Sequence, residues 1–403
     1  MTTAPIVVIG TGGIGAAVLA AIARRGAPVI GIDRFHPPHE HGSTHGGSRI
    51  IRTAYFEHAD YVPLAREALD GWARLELETG RRCLHRCGVL LTGGPDSEAL
   101  LGSISSAKSH GVMVEELDRE ALERRWPMFD LPSDHRGLFE PGGGLVVPEI
   151  GVSAHLEIAR RHGAELVHGV EVEAIEEGAT QSTVICHGRR IDASCVVVAA
   201  GAWTRKLLPE IAPASLSVHE KMMVWCDAVA GRSSEIQSPR LPAWLVDDGG
   251  GFGDGAYYGV PVHDGQTGPS GVKIGFHGPG IPIDPDQERG EPGMETLDRY
   301  HREVSRFLPG LLASPHAASS CLYTMSEDED FVVDRVPGRP RVVVAAGFSG
   351  HGFKFAPVLG ERIADMAIDG GHSPALAFLG MSRLDGFVGS KVKGNASARD
   401  GRE

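Results

Sequence analysis

The chain has 403 residues, 42% hydrophobic and 23% charged, which describes a folded globular protein of two or three domains and excludes disorder as its main state. Its 39 Lys and Arg against 52 Asp and Glu leave a net charge of −13, which repels polyanions and argues against nucleic acid or an anionic membrane as partner. The six cysteines lack paired spacing, the apolar runs are strand-sized and the N-terminus has no signal-type segment, so a reduced, cytoplasmic protein without a membrane span is expected.

Residues 5–9 form a short apolar run entering a glycine loop, residues 16–25 carry the small and aliphatic side chains of a helix, and residues 28–32 read as a second strand. The chain therefore opens with a βαβ unit. Gly10-Thr11-Gly12-Gly13-Ile14-Gly15 joins the first strand to the helix, and Asp33 ends the next strand, which is the dinucleotide-binding fingerprint in its required context. Gly10 permits the tight turn, and Gly12 lets backbone N–H groups approach a pyrophosphate at the positive end of the helix. Gly15 allows close helix–strand packing, and Asp33 accepts from ribose hydroxyls. The pattern does not separate NAD from FAD.

Tyr61, Leu64, Ala68, Trp72 and Leu75 mark the buried stripe of a helix that Gly80 ends. Between 87 and 148 the pattern shifts to a strand at 89–91, helices at 97–110 and 119–125 and a glycine turn at 141–144. Helix, strand, hairpin and strand return at 150–200, the last strand covering 195–199 with Gly201 behind it. Residues 216–277 read as antiparallel strands interrupted by glycine-rich loops at 249–255 and 263–271. A helix at 295–308, strands at 320–324, 331–334 and 342–346, and a helix at 357–368 follow. The expected division is a discontinuous first domain of 1–83, 148–212 and 319–388, a mostly antiparallel domain of 84–147 and 213–318, and a disordered tail at 389–403.

Two histidine- and cysteine-bearing stretches raise the question of a metal. Cys83-Leu84-His85-Arg86-Cys87 has no second cluster to complete four ligands, and His36, His39, His41 and His45 stand among Pro37, Pro38 and Gly42 in a loop expected to fold over a cofactor. No metal is expected.

Four further stretches occur in one order: His45-Gly46-Gly47-Ser48-Arg49-Ile50-Ile51-Arg52, Lys273-Ile274-Gly275-Phe276-His277, Cys321-Leu322-Tyr323-Thr324, and His351-Gly352-Phe353-Lys354 behind Ala345-Ala346-Gly347-Phe348-Ser349-Gly350. From about residue 5 to 385 the chain thereby resembles the monomeric sarcosine oxidase family of covalent flavoproteins, with N-methyltryptophan and pipecolate oxidases as similar members. The resemblance implies an α/β fold, with a glutathione-reductase-like FAD-binding domain beside a mostly antiparallel substrate domain. It further implies FAD joined through its 8α-methyl to the thiolate of Cys321, an exposed sulfur at the ring edge. Arg52 and Lys354 would hold a substrate carboxylate, Tyr258 and His277 would line the amine's side, Lys273 would sit over the flavin where oxygen reacts, and Arg49 would lie under the other face. Ser43, His45, Ser48, Val172 and Gly201 would add cofactor contacts, as would Phe353 and Lys354. Gly347, Gly350 and Gly352 would offer backbone N–H groups to the reduced flavin's negative charge at the start of the last helix.

The implied reaction is oxidation of a secondary or N-methyl amino acid: hydride passes to flavin N5, the imine is hydrolysed to aldehyde and amine, and oxygen becomes hydrogen peroxide. A monomer is implied. Ser48 stands where relatives often have threonine, Phe276 replaces a frequent tyrosine, and the loops at 249–255 and 263–271 look longer, so these loops, which flank Tyr258, are expected to set substrate specificity. A cyclic imino acid oxidase on the same scaffold, an NAD-dependent dehydrogenase and a catalytically inert flavin subunit remain open alternatives.

Physical chemistry supports these positions separately. A carboxylate calls for a planar bidentate donor and a second cation, as Arg52 and Lys354 supply. Hydride loss needs the free amine, and nearby positive charge with desolvation depresses an ammonium pKa, His277 being a candidate proton acceptor. Tyr258 reads as a packing and hydrogen-bonding wall.

Overall fold

The computed structural model describes residues 4–211, 216–248 and 255–384. Most of the first glycine-rich loop (249–254) and the whole tail at 389–403 lie outside the described residues.

β1 (Ile6–Ile9) is buried along its length, and α1 (Gly13–Arg24) follows, then β2 (Val29–Asp33). The helix begins three residues before the expected start because Gly12 is itself its N-cap, so two fingerprint glycines lie inside the first turn. Alanine and glycine on α1 allow the helix Ala356–Asp369 to approach closely. A Cβ at Gly360 would lie 2.7 Å from the Ala17 backbone.

β1 is central in a six-stranded sheet. On one side lie β2 and Glu165–His168, on the other Cys195–Val198, Val342–Ala346 and Val332–Arg335; every pair is parallel except the last. From β1 the sheet continues to β2 on one side, whereas from Cys195–Val198 it continues to Val342–Ala346 on the other, so a crevice opens beyond the carboxyl ends of these two strands, where an open α/β sheet takes its ligands.

A second, nine-stranded sheet is antiparallel except where Ala243–Asp247 runs parallel to Val89–Gly93. Trp244, Phe129, Phe307, Val224 and Ile274 share its core. Its strands Leu216–Cys226, Ala256–Val260 and Val272–His277 fall in the stretch read as antiparallel, while the helix expected at 295–308 covers Met294–Ser305. Ala317–Ser326 is longer than the expected strand and pairs with Leu216–Cys226 throughout, setting Cys321 directly opposite Lys221. Residues 319–326, grouped with the first domain on sequence, thus hydrogen-bond to the second sheet.

Three very short strands, Arg49–Ile51, Leu84–His85 and Gly144–Val146, form a small separate sheet. Two or three residues carry no readable periodicity, so the sequence shows none of them, yet this sheet fixes Arg49. Among the described residues no helix is long and apolar enough to cross a membrane.

Candidate active site

The crevice at β1 is a cleft of about 290 Å³. Gly10, Gly12, Gly13 and Ile14 line it, with Asp33, Ser43, Arg49, Val172, Gly201, Gly350, Gly352 and Phe353. The glycines satisfy a dinucleotide. A Cβ at Gly10 (φ +85°) would lie 2.5 Å from Ala199 O and one at Gly13 2.7 Å from the Phe353 ring, whereas the space beside Gly12 is open, as a pyrophosphate approaching the α1 N-terminus requires. Gly15 does not line the cleft; a Cβ there would lie 1.7 Å from Gly10 O, which is its packing role. Thr324 also lines the cleft, and its buried Oγ1 has no protein partner.

Asp33 accepts from Thr11 N at 2.7 Å and Phe35 N at 2.9 Å. Burial works against its charge, but His39 and these two N–H groups outweigh burial and hold the carboxyl below its ordinary range. Arg49 donates to Ser48 O and Ser43 O, both at 2.7 Å, and stands where the cleft meets a second, smaller pocket. His45, Ser48 and Gly347 do not line the cleft: Ser48 acts through its carbonyl, Gly347 (φ +60°) packs against Leu216 and Val332, and His45 is buried near Arg49 and Lys273.

The second pocket, about 80 Å³, shares Arg49, Tyr323, Gly350 and Phe353 with the cleft and brings together Arg52, Lys354, Tyr258 and His277. Lys354 therefore belongs to this pocket, not to the cofactor cleft. Glu57, also in its wall, takes both N–H groups of Arg52 Nη2 at 2.8 and 2.9 Å, while Arg52 Nη1 donates to Ala54 O. Of the two cations expected from sequence, Arg52 is thus held in an ion pair and Lys354 is not. Burial disfavours the Glu57 charge, yet Arg52, then His351 and Lys354, bring its pKa down to about 2. Burial and the Arg52 charge depress Lys354 to about 7, against the pull of Glu57 and Glu140.

Burial lowers His277 to about 4; Glu57 opposes, while Lys221, Lys354 and Arg52 add. A group so weakly basic is a neutral imidazole at pH 7, able to donate or accept a hydrogen bond in the pocket wall. Burial raises Tyr258 to about 12 and Arg49 opposes. The Tyr258 ring needs Gly275 across the strand pair, where a Cβ would lie 2.3 Å from its Oη.

Lys273 is 2% exposed, and its Nζ donates to Ser48 O beside the Arg49 guanidinium. Burial and Arg49 lower its pKa well below the ordinary lysine value, against Glu149 and Cys321. Cys321 is also buried, as are all six cysteines, so exposure does not distinguish it. Burial raises its thiol pKa, and Arg49, Lys273, Arg289 and Lys221 partly reverse this. That cationic surround, and the adjacent cleft residues Leu322, Tyr323 and Thr324, set it apart.

The loop at 263–271 turns away from the pocket it was expected to shape. Thr267 Oγ1 bonds Glu149 at 3.0 Å and the loop lies on Gly47, where a Cβ would meet Thr267 O at 2.3 Å; none of its residues lines the pocket. The wall near Tyr258 is instead Leu245 and Phe56. Among the described residues no group of three or more His, Cys, Asp or Glu is placed to hold a metal. Sequence reading missed Glu57, although it stands five residues from Arg52, and gave Tyr323 and His351, quoted within two of its stretches, no role of their own.

Residues 5–366 match the family model described as FAD dependent oxidoreductase. The chain is 35% identical over 399 residues to monomeric sarcosine oxidase of Streptomyces avermitilis, covering 95% of this chain and 98% of the relative. It is 35% identical over 370 residues to N-methyl-L-tryptophan oxidase of Salmonella arizonae, covering 90% and 94%. Among solved structures, the open form of NikD, an amino acid oxidase essential for nikkomycin biosynthesis, matches with TM-score 0.80 at 26% identity over 94% of this chain and 98% of that one. Glycine oxidase of Geobacillus kaustophilus matches in fold, with TM-score 0.76 at 19% identity over 96% and 100%. The family match over nearly the whole chain decides for FAD over NAD, which the glycine cradle alone does not separate: the chain belongs to the FAD dependent oxidoreductases, in the group of the monomeric sarcosine and N-methyltryptophan oxidases.

Proposed function

We propose that this flavin-dependent amine oxidase acts on a small secondary or N-methyl amino acid, yielding an imine that water hydrolyses to an aldehyde and the demethylated amine. Bound FAD supplies the two-electron acceptor at N5 and the route to dioxygen and hydrogen peroxide. The observation that carries the reading is the meeting of Lys354, the Arg52–Glu57 pair, Tyr258 and His277 on one small pocket that shares Arg49 and Tyr323 with the cofactor cleft. The names of the relatives support an N-methyl amino acid.

Lys354 and Arg52 hold the carboxylate, and the same charges in a dry pocket favour the free amine over the ammonium. Tyr258 and His277, both neutral at pH 7, wall off water and offer hydrogen bonds. Lys273 places a buried cation beside the site of oxygen reduction, and Cys321 forms the thioether to the flavin 8α-carbon. Gly350 and Gly352 turn backbone toward the cofactor. The reading includes the cytoplasm, supported by cysteines without paired spacing, a monomer, as the resemblance implies, and the division of the chain into the two domains expected above, with Ala317–Ser326 bonded across them.

A peroxide-coupled screen of N-methyl and cyclic amino acids with purified holoenzyme tests the substrate. N-methyl amino acids with a free carboxylate should turn over and bleach the flavin band under anaerobic conditions, and amines without a carboxylate should not. Bleaching by cyclic substrates alone would replace the N-methyl reading, and no bleaching by any would leave an inert flavin subunit. Acid-precipitated protein should stay yellow and yield a flavin peptide containing Cys321; colour wholly in the supernatant would refute the covalent bond.

A further inference from the structure

A chain of buried side chains runs from the carboxylate end of the pocket to the turn at Glu329. Lys354 Nζ donates to Tyr55 Oη at 3.1 Å, Tyr55 Oη lies 2.6 Å from His351 Nδ1, and His351 Nε2 lies 3.1 Å from Glu329 O. Tyr55 is 1% exposed, His351 6% and Lys354 7%. The direction of each bond follows from what each group can do. An ammonium only donates, so Tyr55 Oη accepts from Lys354 and turns its own O–H to His351 Nδ1; a carbonyl only accepts, so His351 Nε2 carries the proton that goes to Glu329 O. His351 is therefore the neutral Nε2–H tautomer, in keeping with the lowering of its pKa to about 3, chiefly by burial. The rings of Tyr61, Phe331 and Phe355 pack around Tyr55 and His351 and keep the chain dry.

We propose that Tyr55 and His351 are positioning residues for carboxylate recognition: Tyr55 Oη, oriented by His351, holds the Lys354 ammonium at the pocket wall and favours its charged form. The inference rests on the reading that Lys354 binds the substrate carboxylate. The charged and titratable groups facing Lys354 are Arg52, which disfavours its charge, Glu57 and Glu140, which favour it, and Tyr55, His351 and His277. Glu140 is already bonded by the N–H groups of Thr53 and Ala54 and by the Thr53 hydroxyl, which leaves Tyr55 Oη as the neutral acceptor in direct contact with the ammonium.

The sign of the pH effect follows. Carboxylate binding needs the ammonium, so affinity is highest below the Lys354 pKa of about 7 and falls as pH rises through it. Removing an acceptor from the charged form lowers that pKa further and moves the fall to lower pH.

The test measures the Ki of methoxyacetate, which has no titrating amine, against holoenzyme from about pH 5.5 to 9. Tyr55→Phe should move the limb to lower pH by about 0.5 or more and weaken binding at pH 7 several-fold, while the limiting rate of anaerobic flavin reduction changes by less than about twofold. His351→Leu should move it in the same direction, and His351→Asn, whose amide restores an acceptor for the Tyr55 hydroxyl, should move it less. A Tyr55→Phe enzyme with full flavin content and an unmoved limb overturns the inference, as does an unmoved limb in His351→Leu. Lys354→Met separates the two levels: loss of the limb there with no movement in Tyr55→Phe refutes only the positioning role, whereas a limb that survives Lys354→Met refutes the carboxylate assignment and the inference with it.

Discussion

Lys273 shows what a single residue's surroundings decide. A lysine on a strand is ordinarily a solvated charge, and there its attraction to a negative charge at about 4 Å is worth roughly 1 kcal/mol. At 2% exposure beside Arg49, this one sits where an effective dielectric near 20 makes the same attraction roughly 4 kcal/mol, about three orders of magnitude in rate. On the proposed reading that Lys273 lies over the flavin, its charge would favour oxygen as it gains an electron, but not neutral oxygen beforehand. Lys273→Met should therefore slow reoxidation of the reduced enzyme at least about a hundredfold in stopped-flow traces, while anaerobic reduction by substrate changes far less. Because the ammonium is the active form, reoxidation of the wild type should slow as pH rises through a Lys273 pKa below the ordinary 10.5. Equal slowing of both half-reactions would place the residue in substrate binding or flavin tuning instead. The identity of Lys273 was legible from its stretch Lys273 to His277. Its burial was not, because the strand's alternation does not reveal that both faces are covered.

At the level of elements, the segment between Val272–His277 and Met294–Ser305 fastens across the cofactor cleft. Asp286 accepts from Arg34 at 2.5 Å, from Trp203 Nε1 at 2.8 Å and from Lys206 at 2.5 Å, and Asp284 accepts from Lys206 at 2.7 Å. Arg34 follows β2, whereas Trp203 and Lys206 follow Cys195–Val198, and all three line the cleft, so one carboxylate joins its two lips. Arg289 adds bonds to the carbonyls of Glu40, His41 and Ser320. These groups are largely exposed, and each such pair contributes about 0–1 kcal/mol that salt screens. Apoprotein from flavin-starved cells should accordingly take up FAD faster as salt rises to about 0.5 M. Asp286→Asn should load faster at low salt and respond less to added salt; identical loading curves for both proteins would mean that the segment does not restrain entry. None of this was visible in sequence, where 278–293 has neither apolar period nor motif. The βαβ start, the helices at 97–110 and 119–125 and the strand at 342–346 were visible, because caps such as Ser97 and Asp118 and all-buried runs such as Val342–Ala346 act locally.

Across the whole molecule, the pocket is assembled from Arg52, Tyr258, His277, Tyr323 and Lys354, which come from the small sheet's border, three strands of the antiparallel sheet and the turn before the last helix. The sequence by itself determined the dinucleotide cradle and the family, since the turn at Gly10, the helix start at Gly12 and the acceptor at Asp33 lie within one βαβ unit whose geometry follows from backbone sterics and local hydrogen bonds. It also named Arg52 and Lys354, which the structure brings to one pocket. Only the tertiary structure decided that Glu57 occupies Arg52, that Cys321 is buried opposite Lys221, that the loop at 263–271 packs on Gly47 and Glu149 rather than on the second pocket, and that Tyr55 and His351 stand behind Lys354. Each of these is a pairing between side chains whose energy depends on distance, burial and the charges around them. Such quantities arise when separate elements pack together, and residue spacing along the chain does not encode them.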